Sequence, residues 1–294
     1  MKIWVLGSGV PTPSRTRVCS GYVVEADGKY IVFDHGFGAF SRLLELGIDL
    51  ANITHLFFTH LHFDHMGDYA RLVLTRWDQH GGHVEDLKVF GPPPLQGITE
   101  SLFSPTGVFG PDLAARTLSQ ASLDLYALRG GKGERARPQP VISELRGNHT
   151  IRDANWTVES TQVNHAPPYL ECLAYKFTHE GRAFVYSGDT GPNDNIINLA
   201  QNCDVLVHMS HYITGTAKSD DYLTSCTSHC EAAEVAKKAN AKTLVLTHIS
   251  SQIDRAGVRE RVIAEVSEIF KGTVILGQDL LEIPFDVHYK SHVD

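Results

Sequence analysis

Four side chains able to do chemistry fall within six residues of the stretch THLHFDH: His60, His62, Asp64 and His65. On extended backbone, residues two apart point to the same side, so His60 and His62 can grip one ion. Asp64 and His65, in the turn that follows, can reach a second. Three imidazoles and a carboxylate favour zinc-like ions, which bind imidazole nitrogen at about 2.0–2.1 Å. The chain holds 16 His against only 3 Met and 3 Trp. Histidine is the commonest metal ligand and the acid or base of neutral pH.

Such ligands need rigid carriers. The segment ITHLFFT reads as a short apolar strand with the histidines at its C-terminal end, which fixes direction while the loop lets the ligands converge. KIWVLGSG and GYVVEADGKYIVFDHG read as strands punctuated by Gly and by the turn ADGK. AFSRLLELGI and DYARLVLTRWDQHG carry helical spacing, the first stopped by Gly47; LKVFGPPP is a strand with a proline stop, and LQGITESLF opens a further helix. Residues 104–140 are less regular, and GGKGERARPQP reads as an exposed loop. Strands resume at WTVESTQVNH, in CLAYKFTHEGRAFVYSGD (a hairpin at Glu180-Gly181) and at CDVLVHMSH. SHCEAAEVAKKAN and RAGVRERVIAEVSEIF read as helices, AKTLVLTH and GTVILGQDLLEIPF as strands. Strands first in runs, then alternating with helices, predict an α/β sandwich in layers.

Composition narrows the function classes. With 42% hydrophobic residues over 294, a sizeable core forms. The net charge of -8 opposes a large nucleic-acid surface, which needs clustered Lys and Arg. The start MKIWVLGSG is too short for a signal-peptide core, and no apolar run reaches the length of a membrane span. Five cysteines without CxxC spacing read as reduced thiols in a cytoplasmic protein.

The THLHFDH stretch and the strand-end residues downstream of it resemble the metallo-β-lactamase superfamily, from Leu6 to about Ile283. The resemblance implies a four-layer αββα sandwich over residues 1–294 as one domain. An insertion around 104–150 is expected to cover the site or form a dimer contact. It also implies two zinc ions per chain, with Mn2+ or Fe2+ admissible. His60, His62 and His165 (VNHAPP) would hold one ion and Asp64, His65 and His248 (LTHIS) the other, with Asp189 (YSGDTG) bridging both. Asp34 in VFDHG would be a carboxylate that orients a ligand histidine. The start LGSGVPTPSRTRVCSGYVV and the segment SHCEAAEVAKKANAKTLVLTH are similar to a branch that contains RNase Z, the tRNA 3′-processing endonucleases, together with arylsulfatase-like and phosphodiesterase-like enzymes.

Three features turn the expectation away from RNase Z. Members of that group carry a tRNA-gripping arm between the third ligand histidine and the bridging aspartate, whereas only 23 residues lie between His165 and Asp189 here. Met209 stands where that group has a Glu, although His208 before it is kept. The third feature is the negative charge. The sequence therefore predicts a metal-bridging hydroxide acting on a small-molecule ester, sulfate ester, phosphodiester or lactone, with Asp64 or His229 as the catalytic proton carrier and His208 and His211 near the substrate. Nucleic acid is expected to be an unlikely partner and a homodimer the expected assembly. An RNA-processing nuclease is the first alternative and an iron oxygenase the second. The aromatic residues Phe57, Phe58, Phe63, Trp77, Phe103 and Phe109 read as core first and pocket wall second.

Overall fold

Turn chemistry sets one tight hairpin in each half of the protein. Asp27-Gly28 and Glu180-Gly181 all have positive φ, the backbone of the tight turns whose twist matches paired strands. The computed structural model describes residues 1–153, 155–217 and 219–285. The C-terminal His288 and His292, read from sequence as solvent histidines, lie outside the described residues.

The strands are β1 (Lys2–Gly7), β2 (Gly21–Ala26), β3 (Lys29–His35), β4 (Ile53–Phe57), β5 (Lys88–Gly91), β6 (Val141–Glu144), β7 (His149–Asp153), β8 (Trp156–Val163), β9 (Cys172–His179), β10 (Arg182–Tyr186), β11 (Val205–Met209), β12 (Thr243–Thr247) and β13 (Thr273–Leu276). One sheet runs β1-β2-β3-β4-β5-β6 and the other β13-β12-β11-β10-β9-β8-β7. Each sheet is antiparallel through its hairpins and parallel beyond them, from β3 to β6 and from β10 to β13. The helices are α1 (Ala39–Glu45), α2 (Phe63–Met66), α3 (Tyr69–Gln79), α4 (Leu95–Phe103), α5 (Gly110–Leu118), α6 (Gln120–Leu128), α7 (Asp194–Leu199), α8 (Asp220–Ser225), α9 (His229–Lys238) and α10 (Val258–Ile269).

Strand alternation divides the apolar residues among three cores. Phe33 and Phe57 of one sheet face Tyr175, Phe177, Phe184, Val205 and Val207 of the other. Their sequence neighbours Val32 and Leu56 point outward onto Phe40, Leu43, Leu72 and Leu95 of the helices, because successive strand side chains take opposite faces. On the far side, Leu206, Leu244 and Leu246 pack against Ile196, Ala232, Ala236, Val262 and Val266. Helix, sheet, sheet, helix is the four-layer αββα sandwich of the metallo-β-lactamase fold.

Two parts differ from the sequence reading. Within residues 104–140, read as less regular, the chain forms α5 and α6, while residues 130–140 run as a loop as read. Buried Asp78 on α3 anchors them by accepting from Arg116, Arg129 and Arg135 at 3.0, 2.8 and 2.6 Å. Long-range ion pairs of this kind leave no local periodic signal. The closing stretch is also not one strand. After β13 the chain crosses to the other sheet, where Ile283 N donates to Ile3 O at 2.8 Å and Val5 N to Leu281 O at 2.9 Å. Among the described residues no helix is long and apolar enough to cross a membrane.

Candidate metal centre

Four strands of the two sheets deliver ligands at their C-terminal ends. His60 and His62 follow β4, His165 follows β8, Asp189 follows β10 and His248 directly follows β12. Asp64 and His65 lie on α2, which starts as soon as His62 leaves extended backbone. His60 Nε2 is 2.9 Å from His62 Nδ1, and the His165 ring lies 5.2 and 5.1 Å from the rings of His60 and His62. Asp64 Oδ2 is 3.5 Å from His65 Nε2 and 3.4 Å from His248 Nε2. Asp189 Oδ2 lies between the two sets, 3.4 Å from His65 Nε2, 3.7 Å from His165 Nε2 and 3.2 Å from His248 Nε2.

These donors suit divalent metal. His60 with His62 and His165, His60 with His65 and Asp189, and Asp64 with His65 and His248 each bring ligand atoms within 4.8 Å of one another. Two donors on one tetrahedral ion at about 2.0–2.1 Å sit about 3.4 Å apart, which is the spacing around Asp189. His65 Nε2 is buried and has no hydrogen-bond partner. A buried polar atom left so is costly, and a cation before its lone pair satisfies it.

A buried frame orients the ligands. Asp34 has no exposed surface and accepts four hydrogen bonds: from Thr59 N and Thr59 Oγ1 at 2.8 Å each, from His65 Nδ1 at 2.7 Å and from Tyr186 Oη at 2.9 Å. With Nδ1–H so held, His65 turns its Nε2 lone pair to the cluster. Asp34 adopts φ 55° and His248 φ 56°, left-handed backbone that Asp and His tolerate better than most residues. His165 Nδ1 donates to Ser225 O at 2.7 Å. Burial pushes His60 well below the ordinary histidine range and also lowers His62, with the neighbouring imidazoles adding to both, so both stay neutral as ligands must. Burial would raise Asp189, but His248 and His65 hold it well below the usual carboxylate range.

All seven residues expected as ligands are brought together here, and Asp34 lies behind them, bonded to His65. His211 also joins: its Nδ1 is 3.1 Å from His248 Nδ1, and burial lowers it to about 4. The other two candidates do not join. Buried His208 is bonded through Nδ1 to its neighbour's carbonyl, Met209 O, at 2.9 Å. His229, expected as a proton carrier, has its hydrogen-bond partners elsewhere. Ser228 and Glu231 form a capping box that starts α9, and this phase turns His229 toward α10, where Nε2 meets Glu265 at 2.7 Å while Nδ1 faces Thr214. His229→Ala is accordingly expected to keep metal content and turnover within about twofold while losing about 1 kcal/mol of stability, read by thermal melting beside turnover. A hundredfold fall in a folded, metal-loaded variant would return His229 to the centre. Sequence reading passed over Thr59, Tyr186 and the Ser225 carbonyl. Thr59 and Tyr186 stand one and three residues before a ligand, and that adjacency was the available signal.

The comparisons with known proteins accord with this geometry. The family described as Metallo-beta-lactamase superfamily matches residues 15–248. Ribonuclease Z of Haloarcula marismortui is 28% identical over 320 residues, spanning 96% of each chain. In fold, the chain is similar to the metallo-beta-lactamase fold protein YhfI from Bacillus subtilis (TM-score 0.73, 18% identity, 96% of this chain and 98% of that one) and to human tRNase Z, short form (TM-score 0.68, 20% identity, 98% and 100%). Full-length similarity to proteins named as ribonucleases overturns the expectation that nucleic acid is an unlikely partner and a small molecule the substrate. The physical flaw was to read a global charge of -8 as a local one: the sum says nothing about the few groups that face a phosphate. With the family match spanning most of its length, the chain belongs to the metallo-beta-lactamase superfamily.

Proposed function

We propose that this chain is a metal-dependent phosphodiesterase that cleaves RNA, as its ribonuclease Z relatives are named for doing. The observation that carries the reading is the coincidence of similarity over 96% of both chains with a complete seven-ligand cluster at one edge of the sandwich. Two zinc ions are the proposed occupants. One would be held by His60, His62 and His165 and the other by Asp64, His65 and His248, with Asp189 shared. Bound there, the metal supplies Lewis acidity toward the phosphoryl group and makes water acidic enough to attack at neutral pH.

The chain's own part is to hold these ligands in one protonation state and one direction. Asp34 and the Ser225 carbonyl fix the outer nitrogens of His65 and His165, so each ring offers its inner nitrogen. His248 offers Nε2 because its Nδ1 is engaged by His211. Met209, where an RNase Z has Glu, supports the bridging aspartate differently: its Sδ accepts from Thr190 N at 3.4 Å, next to Asp189.

The test is a 3′-extended precursor tRNA transcript incubated with the zinc-loaded protein. Endonucleolytic release of the 3′ extension is expected, together with two zinc per chain by elemental analysis and loss of cleavage in chelator, restored by added zinc. Turnover of a chromogenic phosphodiester without cleavage of any RNA would overturn the RNA assignment. One iron per chain would overturn the metal assignment.

A further inference from the structure

Residues 166–188 are taken up by a turn and the β9–β10 hairpin, so no arm for gripping RNA rises between His165 and Asp189. The protein must hold RNA by other means. We infer that Phe37, Phe63 and Tyr169 form an aromatic rim around the metal centre on which unpaired bases next to the scissile phosphodiester stack; the inference rests on the RNA reading above.

Among the described residues, the exposed large hydrophobics are three aromatics and seven aliphatics. The exposed aromatics are Phe37, Phe63 and Tyr169, which are 51%, 59% and 88% exposed, and the remainder are aliphatic. All three aromatics fall within a few residues of the centre in sequence. Phe63 lies between ligands His62 and Asp64, Phe37 is three residues after Asp34, and Tyr169 is four residues after His165. The exposed aliphatics Leu118, Leu125 and Leu128 lie on α5 and α6. A Leu cannot stack on a base, whereas every base has a face that stacks on an aromatic ring. Scattered apolar residues at a surface need no explanation, but a rim of one chemical kind around a reaction centre does.

Phe37 and Phe63 pack against each other. α2 buries Asp64 and His65, which leaves Phe63 on the outward side of that turn. Phe37 lies beside it, the two centroids 6.1 Å apart and the planes tilted by 48°. Gly67 makes room for this arrangement, since a Cβ there would come within 2.6 Å of the Phe37 ring. Tyr169 follows ligand candidate His165 by four residues, in a turn closed by its own N–H donating to Ala166 O at 2.9 Å and preceded by Pro167-Pro168. Stacking of this kind tolerates sequence, because every base offers a face to the ring.

The experiment compares wild type, Phe63→Ala, Tyr169→Ala and Phe63→Trp on one precursor tRNA and on the same RNA made abasic beside the cleavage site. Phe63→Ala is expected to raise KM about tenfold on the intact RNA with kcat and metal content within twofold. Phe63→Trp should restore KM, and the abasic RNA should bind wild type and Phe63→Ala alike. Unchanged KM in both alanine variants, or an equal loss on abasic RNA, would overturn the rim while leaving the nuclease reading standing. A wild type that cleaves no RNA would overturn both, and the two failures are separated by the wild-type lane alone.

Discussion

Asp189→Ala is expected to empty the centre and to remove activity altogether, where a change to one supporting residue removes part of it. Asp189 Oδ2 is the atom that three imidazoles approach, from His65, His165 and His248, at 3.2 to 3.7 Å. These rings belong to both proposed triads, so deleting the carboxylate takes a ligand and a negative charge from each ion at once. Changing a group that only orients a ligand costs about 10–100-fold in metal affinity; loss of a shared ligand should exceed a hundredfold, with zinc falling below one per chain after dialysis. In the metal-free chain the same carboxylate neutralises the histidines around it. Burial would lower His65, yet Asp189 and Asp34 hold it well above the ordinary histidine range. Asp189→Asn separates charge from shape, since it keeps the volume and removes the charge; it should lose metal nearly as fully. Zinc content by elemental analysis and turnover on the precursor RNA are the readouts, and a folded Asp189→Ala protein retaining two zinc ions would sink the ligand assignment.

How much of this was legible follows from where the information lies in the chain. THLHFDH carries its meaning in six adjacent residues, and His165, Asp189 and His248 each follow a strand-like run, so spacing and strand context sufficed to name them. The layers were legible for the same reason: Val205, Leu206 and Val207 alternate between two cores within one strand. What depended on long-range contact was not legible. The helices α5 and α6 are tied down by Asp78, 38 to 57 residues before the arginines it binds. His229 was expected near the site because it opens a helix in a segment similar to the RNase Z branch, but the phase set by the Ser228 cap brings it to Glu265. The substrate was misjudged for a related reason. Net charge is a sum over the chain and does not report the few groups that would face a phosphodiester, and exposed Phe63 was read first as core.

Asp34 is where fold and chemistry meet, and its removal should damage both. The carboxylate joins the end of β3 to Thr59 before the first ligand, to His65 within the cluster and to Tyr186 at the end of β10. It therefore ties together the two sheets and the centre from a fully buried position. Asp34→Ala leaves those donors facing a cavity. Breaking a buried charged network by deleting one partner costs about 3–5 kcal/mol, and alanine at φ 55° adds about 1–2 kcal/mol of backbone strain. Asp34→Asn adopts that backbone more readily and keeps the volume, but its amide turns a donor toward groups that already donate, and His65 loses the acceptor that fixes its tautomer. The expectation is thus a split. Asp34→Ala should melt far below wild type, while Asp34→Asn should stay folded at 25 °C yet bind zinc about 10–100-fold more weakly, measured by competition with a chromogenic chelator. If Asp34→Asn held zinc as tightly as wild type, the Asp34–His65 bond at 2.7 Å would be a strut of the fold and no part of how the centre holds its metal.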